Sequence, residues 1–243
     1  MVALLETNQH QPIPLSRNQL MNIRTPEPTL SWSPLPHHEL LEKVESRLVD
    51  NGMKIRNCSH TTSHGNARYF GTVELCAEPG RDYRRMVGIR NSHDKRHSAS
   101  IVAGARVVCC ANGMFTGEFL CLARKHTSRL HEDLDERLDE SFGRLLQEWV
   151  LNDRRISMYK EKRLSDADAH DLLVRAMDAD ALPPSAIPKI LREWREPWHA
   201  EFHPRNAWSL HNAVTETLKE KVHLIPDRTR KLQQAFDATL GIA

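Results

Sequence analysis

After Thr127 the hydrophobic period of this chain changes from two to nearly four, and that change limits the fold more than any other feature. Upstream, between Met53 and Leu122, apolar and polar residues alternate in short runs, the two-residue period of half-buried strands. Downstream, Leu130, Leu134, Leu138, Phe142, Leu145, Leu146 and Trp149 recur at three- and four-residue steps, the stripe of a helix of about twenty residues. Strands grouped ahead of helices, rather than interleaved with them, predict an α+β fold. The expectation is an antiparallel sheet of about four or five strands packed by flanking helices, followed by a helical C-terminal region.

Taken in order, residues 1–36 hold Pro12, Pro14, Pro26, Pro28, Pro34 and Pro36, a density that predicts an extended or disordered arm, with Leu30 and Trp32 pinning its end. Leu40, Leu41, Val44 and Leu48 mark an amphipathic helix from His37 to Asp50, ended by Asn51-Gly52. Strands are expected at Met53–Asn57 and Arg68–Ala77 around a polar loop, Ser59–Asn66. Further strands are expected near Tyr83–Arg90 and Ser100–Cys110, joined by the loop Asn91–His97, and at Phe115–Leu122 after an Asn112-Gly113 turn. In the helical half, Ser128 is positioned to cap the long helix, Ser165 and Asp168 form a capping box, and Asp227 opens the last helix. Shorter helices carry Ile187, Ile190, Leu191 and Trp194, then Ala207, Leu210, Val214 and Leu218. The linear division is an arm to 36, an α+β core over 37–151 and a helical region over 152–243.

Two segments then stand out: I-R-N-S-H-D leading into V-A-G-A-R-V-V-C-C-A-N-G, and W-S-L-H-N-A-V-T-E-T-L-K. Together they resemble the phage- and plasmid-borne family called domain of unknown function 932. In that family an N-S-H-D turn, a strand ending near C-x-N-G and a helix with W-x-L-x-N-x-V-x-E follow in this order. The matching residues are Asn91, Ser92, His93, Asp94, Cys110, Asn112, Gly113, Trp208, Leu210, Asn212, Val214 and Glu216, within a span from roughly Leu40 to Val222. Lys95 departs from the pattern, which often has Gly after the Asp. The resemblance implies a gene of phages, plasmids or integrated elements, and it brings no catalytic residues. The order helix, β-meander, long helix is also similar to the core of phage single-strand-annealing recombination proteins, which oligomerise around single-stranded DNA.

Charge gives the sharpest functional expectation. The net charge of the 243-residue chain is only +2, so attraction for a polyanion has to be local. Between residues 81 and 106 it is local, with Arg81, Arg84, Arg85, Arg90, Lys95, Arg96 and Arg106 against Asp82 and Asp94. Basic side chains along a β-ribbon cradle a phosphate backbone, each contact adding affinity by counterion release. The expected nucleic-acid contacts are Arg84, Arg85, Arg90, Asn91, His93, Lys95 and Arg96, with Tyr69, Phe70 and Tyr83 as stacking faces. Arg84 and Arg85 are adjacent and point to opposite faces. The bland alternative for the whole set is a solvated polar face.

Other chemistry is less supported. His93, Asp94 and His97 share a loop and are candidate ligands for a metal-dependent nuclease, but a loop does not give their four-residue spacing a common face. Asn91 and Asp94 fit a loop staple better. Trp208, Asn212 and Glu216, four apart on one helix face, are expected to clasp that loop or to border a ligand site. The five cysteines contain no C-x-x-C pair and read as reduced strand residues. No phosphate-loop motif occurs. The reading is therefore a non-enzymatic single-stranded DNA-binding protein, with no cofactor or metal and a possible homo-oligomer. Its competitor is an anti-defence or regulatory protein that binds a host protein through the arm and exposed Trp side chains. With no signal segment and no membrane span, the expected location is cytoplasmic.

Overall fold

The structure, a computed structural model, describes residues 13–107, 113–121, 130–218 and 225–242. A three-residue strand β1 (Ile13–Leu15) lies beside β2 (Ile55–Ser63), and β3 (Arg68–Leu75), β4 (Tyr83–Ser92), β5 (Ser100–Val107) and β6 (Gly113–Cys121) follow in sequence order across one sheet. The pairs β1–β2, β2–β3 and β3–β4 are antiparallel. The helices are α1 (Arg17–Met21), α2 (His37–Asp50), α3 (Leu130–Glu161), α4 (Asp166–Asp178), α5 (Ile187–Arg195), α6 (Ala207–Leu218) and α7 (Ile225–Leu240). The class is α+β, with a helical C-terminal region. Among the described residues no helix is long and apolar enough to cross a membrane.

Several boundaries differ from expectation for local reasons. Ser59 to Ser63 is strand rather than loop, because His60 and Thr62 are buried on one side while Ser59, Thr61 and Ser63 face the other. A polar composition hid a two-residue burial pattern. The turn that follows, His64–Gly65–Asn66, has three successive left-handed residues, at φ 57, 64 and 67. The arm is also more ordered than its prolines suggest. Between Pro14 and Pro26 there is room for α1, whose capping box pairs the Ser16 and Gln19 side chains with each other's backbone amides. Leu20 and Leu35 are fully buried and Trp32 is buried, whereas Leu30 stands in solvent. Helix α3 runs unbroken past residue 151 to Glu161, and α7 starts at Ile225, ahead of Asp227. Ser128, Cys109, Cys110 and Asn112 lie outside the described residues.

The chain packs as two compact units. The first holds Met1–Cys76, Met86–Ile101 and Phe119–Arg144; the second holds Ala77–Arg85, Val102–Glu118 and Leu145–Ala243. In the first, the stripe Leu40, Leu41, Val44 and Leu48 of α2 is buried together with Tyr69, Val73, Val87 and Ile89 of β3 and β4. Each such side chain contributes about 1.5–3 kcal/mol by leaving water. On the outer side of α2, Arg47 meets Asp139 at 2.7 Å and Asp135 at 3.0 Å, and Lys43 meets Asp135 at 3.0 Å. In the second unit, α4 begins with the expected Ser165–Asp168 capping box. Ile156, Tyr159, Leu172, Trp194, Leu210, Val214 and Phe236 belong to one apolar cluster there.

Register explains the one strand glycine that matters. Gly71 pairs with His60 on β2 and Ile89 on β4. The ring of Tyr69, two residues back on the same side, folds over it, so that a Cβ at 71 would overlap the phenol oxygen and its carbon. That position of the ring lets the Tyr69 hydroxyl hydrogen-bond His60 Nδ1 at 3.1 Å. Gly71→Ala is expected to lower stability by about 2 kcal/mol in urea denaturation, as overpacking forces the ring off its partner. An unchanged midpoint would mean that the ring moves aside without cost.

Candidate functional site

The N-S-H-D segment closes the end of β4 onto the turn that precedes α2. Asn91 is fully buried, and its Nδ2 donates to Leu35 O at 2.7 Å and to His37 Nδ1 at 3.0 Å. His37 Nε2 in turn donates to Asn66 O at 3.0 Å, which fixes the tautomer that leaves Nδ1 as an acceptor. His93 Nε2 donates to the same Leu35 O at 2.9 Å, and its ring lies 3.8 Å from that of His37, nearly parallel. Burial lowers the pKa of His93, keeping the ring neutral. The remaining members tie the loop itself. Ser92 Oγ donates to His97 O and accepts from His97 N, while Asp94 accepts from Arg68 Nε at 2.6 Å and from the Arg96 amide at 3.1 Å. The staple expected of Asn91 and Asp94 thus holds a three-segment knot of residues 35–37, 64–67 and 91–97. Lys95 sits at φ 63, a left-handed position that accounts for the Gly found there in the resembling pattern.

The register of β2, β3 and β4 sorts the first unit's side chains into two faces. Cys58, His60, Tyr69, Val73 and Asn91 share the face toward α2, where His37 stacks on Tyr69 and the Cys58 thiol donates to Glu45 at 3.3 Å. Burial, then Glu45, pushes that thiol up to about 12, so it is no nucleophile at neutral pH. The opposite face carries Asn57, Ser59, Thr61, Arg68, Phe70, Thr72, Glu74 and Arg90, with Phe70 directly across from Arg90. Asn57 and Ser59 are exposed, and Thr61, Arg68, Thr72 and Arg90 are half-buried. At the edge of this face Arg56 reaches Glu74 at 3.8 Å. Lys95 and Arg96 are exposed at the end of β4, Lys95 with its ammonium 4.7 Å from the Trp32 ring centre.

The expected contact residues are therefore not one set. Arg90, Lys95 and Arg96 belong to the first unit, Lys95 and Arg96 exposed and Arg90 half-buried. Asn91 and His93, also in that unit, are buried in the knot, Asn91 Nδ2 donating to Leu35 and His37 and His93 Nε2 to Leu35. Arg84 and Arg85 belong to the second unit. There Arg85 is clamped by Glu78 at 2.9 Å and Asp153 at 2.7 Å, above the Trp149 ring, and Arg81 bridges the same two acids. The stacking expectation is corrected as well: Tyr69, Phe70 and Tyr83 are all buried, Tyr83 donating to Asp153 at 2.8 Å, and Tyr69 and Phe70 point to opposite faces. Sequence reasoning missed Arg56 and Arg68, which stand outside the basic run, and Leu35 and His37. The only sign of the latter pair was a Pro-flanked entry into an amphipathic helix. Among the described residues no group of His, Cys, Asp and Glu is arranged to hold a metal ion.

The second motif lies on α6 in the second unit. Trp208 and Asn212 are buried, and Asn212 Nδ2 donates to Trp208 O at 2.8 Å, within its own helix. The N-S-H-D loop closes on Leu35 and His37. A family model described as Domain of unknown function (DUF932) matches residues 29–238. The chain belongs to this family. The DUF932 match is longer at both ends than the two motifs alone implied, and it takes in Leu35 and His37, the partners of Asn91 and His93. No curated protein and no solved structure matches the chain.

Proposed function

We propose that the chain binds single-stranded nucleic acid on the sheet face of its first unit that is turned away from α2. The observation that supports this most is the register that sets Arg90 and Arg68 on the same side of the β3–β4 pair. Arginine side chains next to a ladder of Asn57, Ser59, Thr61 and Thr72 make a face that takes phosphates by charge and sugars by hydroxyl contacts. Lys95 and Arg96 extend the positive charge at the end of β4. Arg56, Arg68, Arg90, Lys95 and Arg96 outnumber Glu74 and Asp94 there, in a chain whose net charge is only +2. The resemblance to phage- and plasmid-borne proteins supports reading recombination of a mobile element as the process, with single-stranded DNA as the substrate.

Fluorescence anisotropy with labelled single-stranded DNA over a salt series tests the proposal. Three phosphate contacts give a slope of about −2 in log affinity against log salt. The variant Arg90→Ala, Lys95→Gly, Arg96→Ala is expected to weaken binding about tenfold or more and to remove most of that slope. Glycine at 95 suits the left-handed backbone, so the loop keeps its shape. Salt-insensitive binding, or binding unaltered in the variant, would overturn the assignment.

A further inference from the structure

The second unit contains a cleft between α5 and α6 that none of the preceding chemistry uses. Its volume is about 90 Å³, and it is lined by Trp194, Trp198, Phe202, Glu193, Asn212 and Glu216 among others. A site for a nucleotide or another drug-sized ligand needs roughly 300 Å³ or more, so this cleft holds a head group and nothing larger. Glu193 and Glu216 supply negative charge, and among the described residues no lysine or arginine lines it. The Trp194 plane is fixed, since its Nε1 donates to Ser209 Oγ at 3.1 Å. Trp194 already carries one cation, the Arg205 guanidinium, at 5.1 Å from its centre. Trp198 borders the cleft between Pro197 and His199 with 89% of its surface exposed.

We propose that this cleft receives an arginine side chain from a partner protein. Carboxylates beside indole rings select a cation, and a planar guanidinium stacks on an indole better than an ammonium does. The exposed Trp198 argues for a polypeptide rather than a free small cation. A head group inside the cleft leaves the indole in water, whereas the backbone and neighbouring side chains of a bound segment cover it. The site is independent of the nucleic-acid face, which belongs to the other unit.

The test uses the full chain labelled with ¹⁵N and a terminally blocked pentapeptide, Ala-Ala-Arg-Ala-Ala. Titration should shift the indole Nε1–H signal of Trp198, which Trp198→Ala identifies by its disappearance. Replacing the peptide arginine by neutral citrulline should weaken binding at least about tenfold, and by lysine about threefold. Trp198→Ala, followed through the Trp194 indole, should weaken arginine-peptide binding about fivefold. Glu193→Gln combined with Glu216→Gln should weaken it about tenfold. If the double variant melts early, Glu193→Gln alone carries the charge test. Equal affinity for arginine and citrulline peptides, or no shift at 10 mM peptide (about the weakest binding worth calling a site), would overturn the proposal.

Discussion

Between pH 8 and pH 4 the protein is expected to lose about 3 kcal/mol of stability through His211 alone. This side chain, on α6, is fully buried, stacked on Trp208 and set edge-on to Phe236. Neither ring nitrogen meets a hydrogen-bond partner among the described residues. Burial, with a smaller contribution from Arg155, lowers its pKa from 6.5 to about 3. The folded chain therefore stays neutral at 211 while the unfolded chain takes up a proton as pH falls through 6.5. Stability is fully present above 6.5 and is lost as pH falls from there toward 3, at about 1.4 kcal/mol per unit. His211→Leu removes the titrating ring and leaves no hydrogen bond unmade. It should hold its stability at pH 8 to within about 1 kcal/mol and flatten the acid loss by about 3 kcal/mol. Urea midpoints at pH 8 and pH 4 for both proteins measure this. His60 and His93, also lowered by burial, leave the variant a residual slope of the same sign. Parallel pH profiles for the two proteins would show that His211 is protonated in the folded state.

Removing the amide of Asn91 should be as damaging at every pH. Asn91→Ala deletes the donor to Leu35 O and leaves His37 Nδ1 facing an apolar methyl group. Leu35 O keeps His93, but His37 Nδ1 loses the Asn91 donor in a buried place, and an amide-sized gap opens under the stacked imidazoles. A lost pair of buried hydrogen bonds costs about 3 kcal/mol. Asn91→Asp should be at least as costly at pH 8, because it sets a carboxylate against the Leu35 carbonyl oxygen. Denaturant unfolding of both variants checks the ranking. A loss below about 1 kcal/mol in Asn91→Ala would mean that the turn at 35–37 finds another anchor.

Much of this architecture was readable before the coordinates. Helix α2 and its buried stripe follow from a four-residue period, because one helix against one sheet face needs no long-range information. The Ser165 capping box is equally local. Strand β2 was half missed because Ser, Thr and His fill it, and what makes it a strand is burial of His60 and Thr62 on the face toward α2, which polar composition does not show. The site shows the same limit. A run of basic residues names Arg84, Arg85 and Arg90 alike, but the clamp on Arg85 comes from Asp153 on α3, nearly seventy residues away. Arg68 gains its place only through the pairing of β3 with β4. The partners of Asn91 and His93 are backbone and ring atoms more than fifty residues upstream, which no spacing rule connects to N-S-H-D.

The family match begins at residue 29, yet β1 at Ile13–Leu15 occupies the outer side of β2. An outermost strand of only three residues offers little backbone for another chain to zip onto, and this one is preceded by Pro12 and contains Pro14, neither of which has an amide hydrogen to give. Cutting the polypeptide at the family boundary would strip that blunt border away. The nine-residue β2 would then become the rim, with its row of amides and carbonyls open to a second copy. A chain trimmed to residue 29 is therefore expected to self-associate more readily than the full one, the three-residue strand no longer covering that rim.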